Sequence, residues 1–183
     1  MVLNQNIFSQ YAEKTSLFNN KTALTSGFLP TKIPHREKEI HQITQILAPL
    51  LKGYGANNIF IYGTCGTGKT ICCRFVTRQL EEIAKTHRRS IKTIYINCKM
   101  KKVSDTEYRL FAQLLKDFGE VVPDTGLPTD VLYRRFFSRI DEKEQSIVLI
   151  LDEIDALVNK VGDEFLYNLT RVNDELKHAK LNI

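Results

Sequence analysis

The segment that most restricts what this chain can fold into is Gly63-Thr64-Cys65-Gly66-Thr67-Gly68-Lys69-Thr70. It fits the pattern Gly-x-x-x-x-Gly-Lys-Ser/Thr. Its flanks also fit, because Asn58-Ile59-Phe60-Ile61-Tyr62 reads as a short buried strand and Thr70 to about Lys85 as a helix. A strand, a glycine loop and a helix in that order form a phosphate cradle. Glycine at 63, 66 and 68 lets the loop turn its N–H groups inward, and the helix start adds positive potential. Gly63, Thr64, Cys65, Gly66, Thr67, Gly68, Lys69 and Thr70 are therefore the candidate nucleotide-binding residues. Lys69 is expected to reach the β- and γ-phosphates, and the Thr70 hydroxyl to bind Mg2+.

A second element lies far downstream, where Ile147-Val148-Leu149-Ile150-Leu151 runs into Asp152-Glu153. A buried strand of this kind delivers its last side chains to the edge of the sheet that carries the loop. Asp152 is expected to hold Mg2+, mostly through water, because that ion keeps several waters and takes few carboxylates. Glu153 is the candidate catalytic base, placed to polarise the water that attacks the γ-phosphate. An acidic pair after a strand is on its own an ordinary surface turn; the upstream loop gives it its meaning. Guanine recognition is disfavoured, since Asn159-Lys160-Val161-Gly162 lacks the aspartate of an Asn-Lys-x-Asp motif.

The remaining chain supplies helices and strands in alternation. Ile40, Ile43, Ile46, Leu47, Leu50 and Leu51 recur at helical steps, with Pro49 predicted to bend the last turn and Gly53 to stop it. Strands are predicted at Thr93–Asn97 and Ser146–Leu151. Helices are predicted at Thr106–Phe118 and Thr129–Ile140, with the Gly119–Pro128 connector between them, and at Asp163–Lys180. This order implies a parallel sheet covered on both faces. Residues 1–30 have no steady period and read as an irregular arm packing through Phe8, Leu17, Phe18 and Phe28.

With 43% hydrophobic residues in 183, one domain with a sizeable core is the expectation. The net charge of +5 is compatible with a polyanionic partner and ordinary for a soluble protein. Its distribution is more informative, because Lys85, Arg88, Arg89, Lys92, Lys99, Lys101 and Lys102 fall in a stretch without Asp or Glu. That run reads as a solvated rim or as a phosphate-contacting surface. Cys65, Cys72, Cys73 and Cys98 make no Cys-x-x-Cys pair, which fits a reduced cytoplasmic protein. No stretch approaches the roughly 18 apolar residues of a membrane span, so no membrane partner is expected.

Several segments resemble a known family. Ile33-Pro34-His35-Arg36-Glu37, the glycine loop, Thr125-Gly126-Leu127-Pro128-Thr129, Leu151-Asp152-Glu153-Ile154-Asp155-Ala156-Leu157-Val158 and Leu166-Tyr167-Asn168-Leu169-Thr170-Arg171 together look like archaeal replication initiators. These belong to the origin recognition complex subunit one and cell division control protein six family. The likeness runs from about Ile7 to Ile183. It implies an α/β P-loop NTPase fold of the AAA+ type, three-layered with a parallel sheet. It also implies ATP or ADP with Mg2+, an adenine pocket involving His35 and Arg36, and slow hydrolysis. Origin double-stranded DNA, other initiator subunits and the replicative helicase are the implied partners, and the cytoplasm, with nucleoid association, the implied location. His35 reads equally as a surface residue at a helix start. In this family the helical insertion, here about 99–140, touches DNA, which makes Lys99, Lys101, Lys102, Arg109, Lys116, Arg134 and Arg135 candidate phosphate contacts.

The expected division is an arm over 1–35 and an ATPase base over 36–183. Two departures from the family stand out. A second lysine often found in the loop is replaced by Thr64 or Cys65, and Cys65 reads as a plain spacer whose thiol adduct would block nucleotide. The chain also ends where the family's fourth strand would start. Sensor residues, arginine finger, lid and winged-helix domain are then expected to be absent, hydrolysis to be poor, and the sheet to have an unpaired gap and exposed edges. Two other functions stay open: a signalling or defence ATPase that does not touch DNA, and a small-molecule phosphotransferase.

Overall fold

The computed structural model describes residues 21–25, 27–100, 106–123 and 126–183. It divides into two compact units, residues 1–32 and 33–183. In the first unit a 3-10 turn spans Lys21–Leu24; Phe8, Leu17 and Phe18 lie outside the described residues.

The second unit is a parallel α/β layer structure. Its elements are α1 (Glu37–Leu47), α2 (Lys69–Thr86), β1 (Ile91–Asn97), α3 (Glu107–Asp117), α4 (Thr129–Ile140), β2 (Gln145–Asp152), α5 (Ile154–Val161), α6 (Glu164–Arg171) and β3 (Ala179–Asn182). The sheet order is β1-β2-β3, all parallel, with Ile91 opposite Ser146 and Asn97 opposite Asp152. Pro49 enters a 3-10 turn, Ala48–Lys52, which Gly53 ends at φ 82°. Only the missing Cβ makes that left-handed cap cheap.

Each face of the sheet has its own core. On one side α3 and α4 pack Leu110, Phe111, Leu114, Leu132, Phe136 and Ile140 over Ile94, Ile96, Ile147 and Leu149. Phe111 meets Tyr133, Phe136 and Phe137 ring to ring. Truncating a fully buried ring such as Phe136 costs about 3–5 kcal/mol. On the other side α1 and α2 place Ile43, Leu47, Cys72, Val76 and Leu80 against Val148. Apolar runs buried from both faces explain why β2 reads as continuous rather than alternating.

Two expectations need correction. The helix predicted for Asp163–Lys180 stops at Arg171, continues as a 3-10 turn over Val172–Asp174, and gives way to β3. Side chains cause the change. Asn173 exchanges two hydrogen bonds with the Leu181 backbone, 2.6 and 2.8 Å. The Asp141 carboxylate accepts from the N–H groups of Lys177, His178 and Ala179 at 2.7–3.1 Å. These bonds take backbone groups that a helix would have used.

The second correction concerns the gap in the sheet. β3 fills it only in part: it pairs with Gln145–Val148, the first half of β2, leaves Leu149–Asp152 without a ladder partner on that side among the described residues, and on its far side Ile59 N–H donates to Ile183 O at 2.7 Å. Asn182 also donates to Ala56 O, and Ile183 N–H to the Asn58 side chain. Residues 58–62 therefore run beside β3 without the ladder predicted for a strand, because one backbone bond does not make one. The exposed edge is present: Phe60 and Tyr62 are 77% and 82% exposed.

Candidate nucleotide-binding site

The loop between residue 62 and α2 has the backbone that its sequence requires. Gly63, Gly66 and Gly68 take φ of 146°, 79° and 88°, values that a side chain would strain. A Cβ at Gly66 would meet nothing within 4 Å, so conformation rather than space demands glycine there. The first bond within α2 runs from Cys72 N–H to Gly68 O at 3.1 Å. The earlier N–H groups of the helix are left for a partner outside it, as at any helix start.

Lys69 folds back over the loop and donates to Gly63 O at 2.9 Å and Thr64 O at 2.8 Å. Thr67 ties the same turn by donating to Thr64 O at 2.9 Å. The loop thus holds its shape with the lysine ammonium above it and the Cys65 thiol exposed.

The second element meets the first directly. Thr70 donates its hydroxyl to Asp152 Oδ2 at 2.8 Å, linking residues on α2 and at the end of β2. A hydroxyl and a carboxylate side by side are hard oxygen donors of the kind Mg2+ takes. Glu153 follows at φ 52°, a left-handed conformation for a residue with a side chain, and its N–H donates to Asp152 Oδ1 at 3.0 Å. Strain of this sort is held in place by surrounding structure and is concentrated at functional sites. Glu153 Oε2 lies 3.2 Å from Lys99 Nζ.

Sequence reasoning missed two neighbours. Tyr95, on β1, donates to Asp152 Oδ2 at 2.7 Å, and the Arg74 guanidinium sits 5.2 Å from the centre of its ring. Burial, then the hydrogen bond to Asp152 and its charge, push the Tyr95 hydroxyl up to about 12, so it remains a donor at neutral pH. Burial likewise raises Cys73 to about 11 and Cys98 to about 12, with the Cys72 neighbour and the Asp152 charge adding for Cys73, and the Asp152 and Asp155 charges for Cys98. A tyrosine two residues before the end of β1, itself opposite the acidic pair, was the available signal.

The other predicted residues are scattered. Arg36 comes to the loop: its Nε would lie 3.8 Å from a Cβ on Gly68, and it pairs with Glu39 at 3.1 Å. His35, at φ 60°, donates its N–H to Glu37, and none of the described hydrogen bonds or ion pairs links its ring to the loop. Lys99 is engaged by Glu153. Arg109 and Lys116 lie on α3; Arg134 and Arg135 lie on α4, where Arg134 pairs with Asp130 at 2.9 Å. Lys101 and Lys102 lie outside the described residues. No helix among the described residues is long and apolar enough to cross a membrane.

Comparison with known proteins agrees with this geometry. A model of the AAA domain family matches residues 52–183. The ORC1-type DNA replication protein of Pyrococcus abyssi is 42% identical over 181 residues, 97% of this chain and 42% of its own length. The ORC1-type DNA replication protein 1 of Archaeoglobus fulgidus is 43% identical over 178 residues, with 97% and 42% covered. Among solved structures, the Aeropyrum pernix ORC1 protein in complex with DNA superposes with a TM-score of 0.81 at 34% identity, over 90% of this chain and 42% of that one. The Aeropyrum pernix ORC2 protein in its ADPNP-ADP complexes shares the fold, with a TM-score of 0.73 at 20% identity over 91% of this chain and 45% of that one. The chain thus spans less than half the length of the relatives it matches. It belongs to the AAA domain family, on the branch whose archaeal members are ORC1-type DNA replication proteins.

Proposed function

We propose that this chain is the nucleotide-binding module of a DNA replication initiator, taking ATP or ADP with Mg2+ and hydrolysing ATP slowly. The observation that carries the reading is the 2.8 Å bond between Thr70 and Asp152, which joins the glycine loop to the acidic end of β2. In this reading the N–H groups of residues 63–70 and the Lys69 ammonium take the phosphates. Thr70 and Asp152 hold the ion, which would neutralise phosphate charge when bound. Arg36, beside Gly68, borders the nucleotide.

Glu153 is the candidate base that orients water. Its ion pair with Lys99 is exposed and weak, so it leaves the carboxylate available for that task. Lys99 has a second candidate role, as a phosphate contact on DNA. Both side chains are well exposed, 73% and 45%, and exposed pairs are worth at most about 1 kcal/mol, so a phosphate can replace Glu153 at little cost.

DNA as partner is supported by the Aeropyrum pernix ORC1 complex and by the positive charge of the chain. The test is duplex binding by this chain with and without ATP and Mg2+, at two salt concentrations. Binding that weakens as salt rises and responds to nucleotide is expected. Nucleotide binding without duplex binding would instead favour an ATPase that does not touch DNA.

A further inference from the structure

The described part of the basic run, Lys85 to Lys99, is not one surface. β1 lies within it, and a seven-residue strand separates its two ends by roughly 20 Å. Lys99 emerges at the edge of the sheet that carries Glu153, while Arg88 and Arg89 stay at the opposite, amino edge. There they join residues from a distant part of the chain. Ser146 pairs opposite Ile91, and Gln145 opposite Ala179, so the turns entering β1, β2 and β3 share this edge.

Between these turns and Gly53 lies a cleft of about 410 Å³. Arg88, Arg89, Lys177, His178 and Lys180 line it, with Glu144 the one carboxylate among its lining residues. Asp141 stands behind it, with its carboxylate committed to three backbone N–H groups of the turn. Two of the cations also hold the fold: Arg89 donates to Lys52 O at 3.3 Å, and Lys180 to Gly53 O at 2.9 Å. Neither carbonyl cancels a charge. Arg88 and Lys177 make no side-chain hydrogen bond or ion pair among the described residues, and Arg88 takes a left-handed φ of 53°. Glu144 and the ionised Asp141 offset part of this charge, but the Arg and Lys side chains outnumber them, so the cleft keeps a positive excess that an anion would satisfy.

We propose that this cleft is a second nucleic-acid contact, binding the phosphates of a DNA backbone at the edge of the sheet opposite the glycine loop. Spacing favours a chain of phosphates over a single small anion. The turns enter three adjacent strands, so the cations spread over two inter-strand steps, about 10 Å. Successive phosphates of one DNA strand lie about 7 Å apart along the backbone, twice their axial rise of about 3.4 Å, which makes the cleft edge about two phosphates long. The proposal rests on DNA being a partner, but it is independent of the nucleotide site.

The test pairs Arg88→Ala/Lys177→Ala with unchanged chain, measuring anisotropy of a labelled duplex between 50 and 200 mM salt. Neither side chain holds the Gly53 turn, so the melting temperature and nucleotide affinity should stay as they were. Two lost phosphate contacts reduce the steepness of the salt dependence by about 1.8 in log-log slope, so the loss of affinity over this fourfold range shrinks by about tenfold. An unaltered affinity and slope in the folded double variant would overturn the proposal, as would absence of duplex binding by the unchanged chain. A matching experiment with Arg134→Ala/Arg135→Ala separates this edge from the helical insertion: the amino-edge loss should appear whether or not the insertion pair also contributes. Binding of inorganic pyrophosphate that depends on Arg88 and Lys177, with duplex binding unaltered, would also overturn it by making the cleft a small-anion site. Lys69→Ala is expected to abolish nucleotide binding and leave the amino-edge effect intact, which distinguishes failure of the two readings.

Discussion

Tyr95→Phe removes one hydroxyl and nothing else, and it probes how Asp152 is held. Asp152 Oδ2 accepts from Tyr95 at 2.7 Å and from Thr70 at 2.8 Å, so the variant leaves that oxygen with one donor. Hydrogen bonds to a charged acceptor contribute about 1.5–3 kcal/mol when buried. Tyr95 is 39% exposed, so water replaces part of the loss and about 1 kcal/mol is the expected cost. For a chain of this size that lowers the melting temperature by about 2–4 °C. The larger effect falls on the ion, because a metal-ligating carboxylate that loses an orienting partner commonly loses tenfold or more in metal affinity. ATP binding measured by calorimetry should therefore weaken by about five- to tenfold in Mg2+ and stay unchanged in EDTA. Equal weakening with and without Mg2+ would show that Tyr95 acts through the fold alone, and no weakening in Mg2+ would refute the positioning role.

Two further outcomes follow from the same geometry. The three backbone N–H groups that hold Asp141 bring its carboxyl from the usual 3.8 down to about 2. A carboxylate with a depressed folded pKa adds stability that is complete above about pH 4 and lost as pH falls through about 2. The stability advantage of the unchanged chain over Asp141→Asn, followed by denaturant melts, should thus be constant near neutrality and vanish toward pH 2. Cys65 is the exposed thiol, whereas Cys72 and Cys98 are buried. A maleimide should label Cys65 first, as read by mass spectrometry; the adduct should abolish nucleotide binding, and saturating nucleotide should slow the labelling.

Features decided by neighbours in sequence were legible before the structure. Thr129–Ile140 is a helix with the predicted bounds, and the turns of Gly63, Gly66 and Gly68 follow from a motif whose glycines have a conformational reason. The end of the last predicted helix was not legible. Leu176 fits the periodicity set by Leu166 and Leu169, but the break is made by Asn173 clamping Leu181 and by Asp141 reaching residues 177–179, contacts that no local pattern contains. Residues 58–62 have a strand composition, yet a strand also needs a partner, and one backbone-to-backbone bond to Ile183 leaves the ladder unformed. The site shows the same division. Lys69, Thr70, Asp152 and Glu153 are marked by motif, whereas Tyr95 and Lys99 gain meaning only when β1 is laid beside β2.

The most direct test of the account is nucleotide binding by this chain and by Lys69→Ala, with and without Mg2+, each checked for folding by circular dichroism. Among the described residues the Lys69 ammonium hydrogen-bonds to two loop carbonyls, so its loss should leave the fold intact while removing the charge that meets the phosphates. The account predicts ATP and ADP binding that is strengthened by Mg2+ and lost in the variant. A folded chain that binds neither nucleotide, or a variant that binds as well as the original, would contradict it.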